Sequence, residues 1–479
     1  MNNKQKTFSA VDAHAPLLES VARQIWDFAE LSLQEFRSAE LYCETLAAQG
    51  FTVERNLAGI ETAFSGSFGS GRPVIGFLAE FDALSGLSQV GEATERSELI
   101  PGGNGHGCGH HLLGAGALGA ALAYKQYLQE SGAPGTVIFY GCPGEEGGAG
   151  KAFMAREGLW SHLDAALTWH PDSVNEVVSG TCNSCIQKEY SFQGVASHAA
   201  SGPENGRSAL DAVQLMNLGV EFLREHMRPS SRVHYAITNT GGLSANVVQP
   251  FAKVLYMVRD IDVAPTLALQ ARVDKIAEAA AMMTETKLTV RFIDGTSNTV
   301  PNFTLEKVLH DNFAALTLPD YTPAEWDYAA ALSAAVENKP DALPGDGTKY
   351  DPAIRDFVAK ASGEGKKVLN DFLIPLYSSH QFEFGSTDVG DVSWLTPTAQ
   401  IHTVCYPSGT PFHTWQMVTC GASSIAIKGM LTAAKVLAAA AVDLHQNPDI
   451  LAAAKAEFAK QAKAGYTCPI PPDAVPTIV

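Results

Sequence analysis

The sequence predicts an α/β fold that carries a second, α+β unit within the chain. Three observations lead there. Short apolar runs alternate with segments of helical periodicity up to about Ser184. Beyond it, longer strand-like runs flank two helical segments. Three of the early apolar runs lead into acids or histidines, and ligands of α/β sheets gather where strands end.

Pro16 marks a helix start, and Leu17, Leu18, Val21, Ile25 and Phe28 recur after it at helical spacing. A second helix is predicted over Ser38–Ala48, stopped by Gly50. Val74–Ala79 (VIGFLA) reads as a buried strand with Glu80 and Asp82 just past its end. His110–Gln129, rich in Ala and Leu, predicts a long helix. Thr136–Tyr140 is a strand leading into GCPGEEGG, and Asp164–Trp169 a strand leading into His170-Pro171. Glu189–Val195, Phe251–Val258 and Leu288–Ile293 predict strands of the second unit. Arg207–His226 and Thr266–Glu285 predict its helices. The unit spans roughly 110 residues, with Gly-, Ser- and Asn-rich hinges near 176–184 and 294–302. Helical pieces follow at Glu306–Ala315 and Tyr328–Val336, then a Pro/Gly/Asp-rich region to about Pro352. Ser424–Val442 predicts a last long helix, and the end, TCPIPPDAVPTIV, reads as irregular.

Composition narrows the class. The 479 residues suggest two or three domains. With 46% apolar and 18% charged residues the chain can bury a large core and is not disordered. Eight cysteines are too few for a disulfide-framed scaffold. A net charge of -18 makes non-specific binding of nucleic acid or anionic membrane poor. It leaves room for a small anionic substrate held locally by arginine. The N-terminal stretch has no apolar signal-like core. The Ala-rich run Met430–Val442 is shorter than a membrane span and carries Lys435. The expectation is a soluble, cytoplasmic protein.

Chemistry concentrates in Asn104-Gly-His106-Gly-Cys108-Gly-His110-His111. Cys and His ligate borderline metals such as zinc or manganese-group ions, and the glycines let the backbone aim both at one point. A Gly-rich turn with incidental histidines is the plain alternative. Glu145-Glu146 follows a strand. Two adjacent carboxylates repel unless a cation or proton intervenes. One can ligate a metal while the other holds a water; a solvated acidic turn is the alternative. His170 ends an apolar strand, and His413 sits in Gly409-Thr-Pro-Phe-His413-Thr-Trp415. Each alone is ambiguous. Together Cys108, His110, Glu146, His170 and His413 offer five ligands, more than one catalytic zinc with an open position takes. They suit two metals sharing a bridging ligand and a water.

Rival motifs are missing: no HExxH, no GxxxxGK[ST], no EF-hand loop and no nucleophile elbow around Ser408. Gly66–Gly71 fits dinucleotide spacing poorly. A Cys108 nucleophile paired with His110 or His170 stays open but leaves the Glu pair unexplained. In the second unit, His198 follows a strand, either as an exposed loop residue or as a donor to developing oxyanion charge. Asn246 and Arg259 lie in the same unit, and Arg259, after VLYMV, needs an anionic partner from the protein or the substrate.

Glu80-Phe-Asp82-Ala-Leu84, His106-Gly-Cys-Gly-His110, Gly144-Glu-Glu-Gly-Gly148, Trp169-His-Pro171 and the His198 segment occur in one order. In that order the chain resembles the M20 metallopeptidase/amidohydrolase family, in its branch of aminoacyl-amide hydrolases, over nearly its whole length. The resemblance implies a zinc-exopeptidase-like catalytic domain with a mixed sheet flanked by helices, in parts 1–185 and 298–479, the latter with an extended 325–375 region. It also implies an inserted lid and dimerisation domain over 186–297; the length of 325–375 exceeds what a minimal member needs and is a departure from the family.

Two divalent metal ions are implied, manganese first, with zinc or cobalt as alternatives. Cys108 would bridge them, and His110, Glu146, His170 and His413 would complete the shell. Glu145 would be general base and then proton donor, with Asp82 behind the site. His198 would act on the scissile carbonyl across a dimer interface, and Asn246 and Arg259 would hold the substrate. The implied reaction is hydrolysis of an N-acyl amino acid, with p-aminobenzoyl-glutamate giving p-aminobenzoate and glutamate. The implied assembly is a homodimer or a heteromer with a related subunit. Besides the length of 325–375, two departures stand out. His111 takes the place of an Asp, and a later Glu-Asp-Phe pattern survives only loosely as Gly390-Asp391-Val-Ser-Trp394.

Overall fold

The computed structural model describes residues 3–337, 342–345 and 349–478. The chain divides into two compact units. The first comprises Met1–Thr181, Val300–Gln381 and Val392–Tyr466. The second comprises Cys182–Thr299, Phe382–Asp391 and Thr467–Val479. In chain order the strands of the described residues are β1 (Thr52–Arg55), β2 (Phe64–Ser70), β3 (Val74–Ala79), β4 (Gly135–Gly141), β5 (Ala165–Asp172), β6 (Glu176–Val177), β7 (Ser184–Gln193), β8 (Arg232–Asn239), β9 (Phe251–Asp260), β10 (Lys287–Thr296) and β11 (Thr398–Val404).

The first unit is built on a seven-stranded mixed sheet of order β1-β2-β4-β3-β5-β11-β6. Its centre, β4-β3-β5-β11, is parallel, while β1, β2 and β6 pair antiparallel. Parallel strands are covered on both faces, so they read as unbroken apolar runs, and VIGFLA of β3 is buried along nearly its full length. Helix His110–Ser131 is buried on all sides for its first four turns, packed between helices Asn3–Phe28 and Ser424–Gln446. By length and composition Ser424–Gln446 could cross a membrane, but 83% of its most apolar stretch is buried inside the protein, as in a core helix.

The α/β architecture with a mixed sheet and flanking helices is thus the one expected. Several elements differ from expectation. The first helix starts at Asn3, not Pro16, and runs through that proline. Thr7, Ala10 and Val11 extend the same buried face as Leu18, Val21 and Ile25, and this packing outweighs the one N–H bond that Pro16 cannot make. Strand β2, FSGSFGS, escaped recognition because glycine and serine have low strand propensity. The Gly66–Gly71 fragment lies mostly within it.

The second unit is an antiparallel sheet of order β10-β7-β9-β8. Helices Ala209–Leu223 and Val263–Thr284 pack on β7 and β9. Burial alternates along β9, which puts Ala252, Val254, Tyr256 and Val258 in the core and the residues between them on the other face. Ser208 and Asp262 cap the two helices by accepting from Asp211 N and Ala264 N. In the 325–375 region, helix Pro323–Ala334 opens with a Thr322/Glu325 capping box, and Pro352–Ala361 follows. Residues 338–341 and 346–348 of its Pro/Gly/Asp-rich stretch lie outside the described residues.

Candidate metal centre

The parallel strands of the first unit carry the chemistry at their ends. Glu80 and Asp82 follow β3, Glu145 and Glu146 follow β4, and His170 lies near the end of β5. Gly109, at φ +82°, caps helix His110–Ser131, and a Cβ there would lie 2.1 Å from Tyr406 Oη. Only glycine lets the chain turn between Cys108 and His110 at this spot.

Three groups of donor atoms result, each lying within 4.8 Å of one another: Cys108 with His110 and His170, Cys108 with Glu146 and His413, and Glu80 with His110 and Glu145. The structure therefore brings together all five candidate ligands and Glu145, and Cys108 belongs to two of the groups. Cys108 Sγ lies 3.4 Å from His170 Nε2. His170 Nδ1 bonds the Pro171 carbonyl at 2.8 Å, so it donates there and leaves Nε2 as a lone-pair donor toward the cluster. His413 Nε2 is 3.3 Å from Glu146 Oε1.

Asp82 stands behind His110. Its Oδ1 bonds His110 Nδ1 at 2.8 Å, and its Oδ2 accepts from Ser32 Oγ at 2.7 Å and Glu146 N at 3.0 Å. One carboxylate thus orients His110 and the loop bearing Glu146. Burial is the largest influence on Asp82 and raises its pKa, but the charge and hydrogen bond of His110, with the bonds from Glu146 N and Ser32, together bring it down to about 2. Glu80 is likewise held below its ordinary value. Burial opposes, but Lys151 at 2.7 Å and His110 at 3.3 Å prevail. Burial pushes the Cys108 thiol up, and Glu146 adds to it. A cation on the sulfur reverses that balance. Burial brings His170 down to about 4, keeping the ring neutral. Contact with Glu146 raises His413.

His110 Nε2 and Glu146 Oε1 are buried without a hydrogen-bond partner, with Glu80 Oε2 3.3 Å from the first and His413 Nε2 3.3 Å from the second. Buried polar atoms normally have partners. Unpaired imidazole and carboxylate atoms converging with a thiol are what a pair of borderline divalent cations would satisfy, so the residues fit such ions.

Sequence reasoning missed three residues. Lys151 is 0% exposed and neutralises Glu80. A lone lysine in the apolar run Lys-Ala-Phe-Met-Ala was the available signal. Glu80 was seen at its strand end but given no role. Glu35, fully buried, accepts from Leu33 N, Gly144 N and Thr62 Oγ1 at 2.8–2.9 Å and so anchors the loop before Glu145. Two histidines of the motif point elsewhere. His106 Nε2 bonds Ile25 O and His111 Nε2 bonds Gly421 O, which ties the motif to its neighbours. Asp391 is structural too, accepting from Ser297 N and Oγ.

His198, Asn246 and Arg259 belong to the second unit. His198 and Asn246 are adjacent, because Ala199 N donates to Asn246 O at 2.9 Å. His198 Nδ1 accepts from Ala200 N and Ser201 N, which leaves the proton on Nε2. Arg259 bonds Ser386 Oγ and Met257 Sδ. Asp294 lies within its electrostatic reach: burial and Asp388 push that carboxyl up to about 7, while Arg259 pulls the other way.

This fold and strand-end cluster define a hydrolase of the peptidase and amidohydrolase type. The chain belongs to peptidase family M20/M25/M40, whose model matches residues 76–407. It is 43% identical to one of the subunits of p-aminobenzoyl-glutamate hydrolase from Escherichia coli, over 98% of this chain and 97% of that one. It is 28% identical to the mouse Xaa-Arg dipeptidase, over 95% of this chain and 92% of that one. A Bacillus subtilis structure described as a dinuclear metal-binding M20 peptidase superposes with a TM-score of 0.53 at 16% identity, covering 91% of this chain and 99% of that one. That last likeness is one of fold.

Proposed function

We propose that the chain hydrolyses the amide bond of an N-acyl amino acid, p-aminobenzoyl-glutamate foremost, giving p-aminobenzoate and glutamate. The observation that carries this reading is Cys108, shared between two donor groups, with Glu145 in a third group joined to the first through His110. The 43% identity to a hydrolase named for that substrate supports the choice of acyl group. Cys108, His110, Glu146, His170 and His413 would hold two divalent cations, with Cys108 between them and manganese the first choice over zinc or cobalt. Such ions supply Lewis acidity and lower the pKa of water.

The protein's own groups do the rest. Glu145 takes a proton from the attacking water and returns it to the leaving amide nitrogen. Asp82 keeps His110 in one tautomer. His198, with its proton on Nε2, donates to the carbonyl oxygen as charge develops there, from a lid formed by the second unit. Asn246 and Arg259 lie on the same unit and serve the substrate's carboxylate side.

The assembly is a homodimer or a heteromer with a related subunit. Strand β8 is a sheet edge with Tyr235 and Ile237 exposed, and Leu218 and Phe222 are exposed on helix Ala209–Leu223. A second reading rests on the relative's being a subunit. There the chain completes a related hydrolase and is weak alone but strong on mixing. Eight free cysteines fit a reducing, cytoplasmic setting. The charge of -18 fits neither nucleic acid nor anionic membrane as partner.

The test joins metal analysis to turnover of N-acyl-glutamates, N-acyl-aspartates and dipeptides, with and without a candidate partner. Stoichiometric divalent ion and release of p-aminobenzoate are expected. Active protein without such ions would remove the metal centre. Glu145→Gln should keep metal and lose roughly 10²–10⁴ in rate; near-normal turnover removes Glu145 as base. Verified mixed dimers of His198→Ala with a Cys108→Ala chain should regain activity if His198 acts in trans.

A further inference from the structure

We infer that segment 349–379 is a clamp that fixes the ring of His170, acting through Glu176 and His402, and so sets the affinity of the ion that His170 would hold. The inference rests on the two-ion reading above and gives the extended region a task. His170, His402 and Glu176 stand in one row across three adjacent strands. His402 of β11 pairs with His170 of β5 on one side and with Glu176 of β6 on the other. Cross-strand partners project from the same face of a sheet. The His402 ring accordingly lies beside that of His170, centroids 6.2 Å apart at 71°. Phe412 and His110 also flank His170, at 5.9 and 5.7 Å. Phe412 is half exposed in the loop of His413, and His110 is itself a candidate ligand. Of the three rings, His402 is the one tied to the far edge of the sheet.

The anchor is Glu176. Its Oε1 accepts from His402 Nδ1 at 3.1 Å, and its Oε2 accepts from Tyr350 Oη at 3.1 Å and Tyr377 Oη at 3.2 Å. A carboxylate only 4% exposed is costly to bury, and three donors on two oxygens leave it one orientation. Strand β6 is two residues long at the edge of the sheet, too short to hold Glu176 by itself. The segment holds it. Asn175 Nδ2 donates to Asn370 O and Phe372 O, Ile374 N donates to Asn175 O, and Asn370 Nδ2 donates to Ser173 O, all at 2.7–3.2 Å. Val174 packs in one apolar cluster with Tyr350, Ile374 and Tyr377. Ser173 to Glu176, which follow the strand of His170, are thus gripped by side chain and backbone alike. Plain packing would need neither the acid nor the two phenols that bond it.

The full-length chain, stripped of ions, should be titrated with Mn²⁺ against a competing chelator, with the melting temperature of the ion-free protein measured beside it. His170→Ala and His413→Ala assign the two binding steps. Glu176→Gln should weaken the His170 step about tenfold, the lower end for a group that orients a ligand, and leave the His413 step within about twofold. Tyr350→Phe/Tyr377→Phe should weaken the same step by a smaller factor, and it carries the test if Glu176→Gln fails to fold. The double variant Glu176→Gln/His402→Ala should lose no more than the larger single loss, because both changes act along one route. Additive losses overturn the route through His402. Equal weakening of both steps, or unchanged steps with a lower melting temperature, makes the segment a structural support and overturns the clamp while sparing the metal centre. A wild-type chain that takes up no ion overturns the metal centre and the clamp together.

Discussion

Glu80 and Asp82 on one side, and Glu35 on the other, are all fully or nearly fully buried acids of the first unit, yet their ionisation runs in opposite directions. Glu80 and Asp82 are held below their ordinary values because Lys151 and His110 stand against them. Glu35 meets only neutral donors. Burial first, and the Asp82 charge second, push it up to about 8. Equal burial therefore does not mean equal charge; a cation within contact decides. The consequence is local. The acids that face the donor cluster stay anionic, while the acid that anchors the Glu145 loop holds its proton near neutral pH.

Removing the cation should erase the contrast with the largest effect. Lys151→Met strands Glu80 as a buried charge and should destabilise the protein by about 3–5 kcal/mol in denaturant titration. A loss below about 1 kcal/mol would mean that His110 suffices as the counter-charge of Glu80 without Lys151. Asp82→Asn keeps the shape but weakens the grip on His110. Divalent-ion affinity should drop about 10–100-fold in chelator competition, and unaltered affinity would deny Asp82 its orienting part.

Glu35→Gln imitates the protonated acid and tests the other side. The wild-type carboxyl has a folded value raised from 4.5 to about 8, so its stabilising contribution is full below 4.5 and lost as pH climbs toward 8. The variant lacks that loss. Its stability relative to wild type should improve steadily through this window, by on the order of 1–3 kcal/mol at the alkaline end. A difference that stays flat with pH would show Glu35 ionised throughout. The smallest effect concerns the open side of the cluster. The His413 side chain is 51% exposed and its backbone sits at φ +59°. His413→Gly should melt later than His413→Ala by on the order of 1 kcal/mol, since glycine takes that conformation without strain. Equal melting would mean that the loop relaxes freely.

Much of the candidate site was legible in the residues themselves. Cys108, His110, Glu145, Glu146, His170 and His413 are chemically conspicuous, and each follows an apolar run or a glycine-rich turn whose pattern marks a strand or helix end. The partners of Lys151 and Glu35 were not legible. A lysine inside an apolar helix or a glutamate before a helix carries no mark of its partner, because Glu80 and Gly144 lie far from them in sequence. Strand β2 stayed hidden for a related reason. Its Gly-Ser composition is tolerable only because β1 and β4 bond it on both sides.

By itself the sequence determined the alternation of strands and helices and the inventory of side chains with donor atoms, since these depend on periodicity and residue chemistry within short windows. Only the tertiary structure decided which donors converge, that Cys108 belongs to two groups, that His106 and His111 turn away to backbone carbonyls, and which buried acids keep their charge. Those outcomes depend on distances of 3–5 Å between residues tens to hundreds of positions apart, set by the packing of parallel strand ends against one helix start.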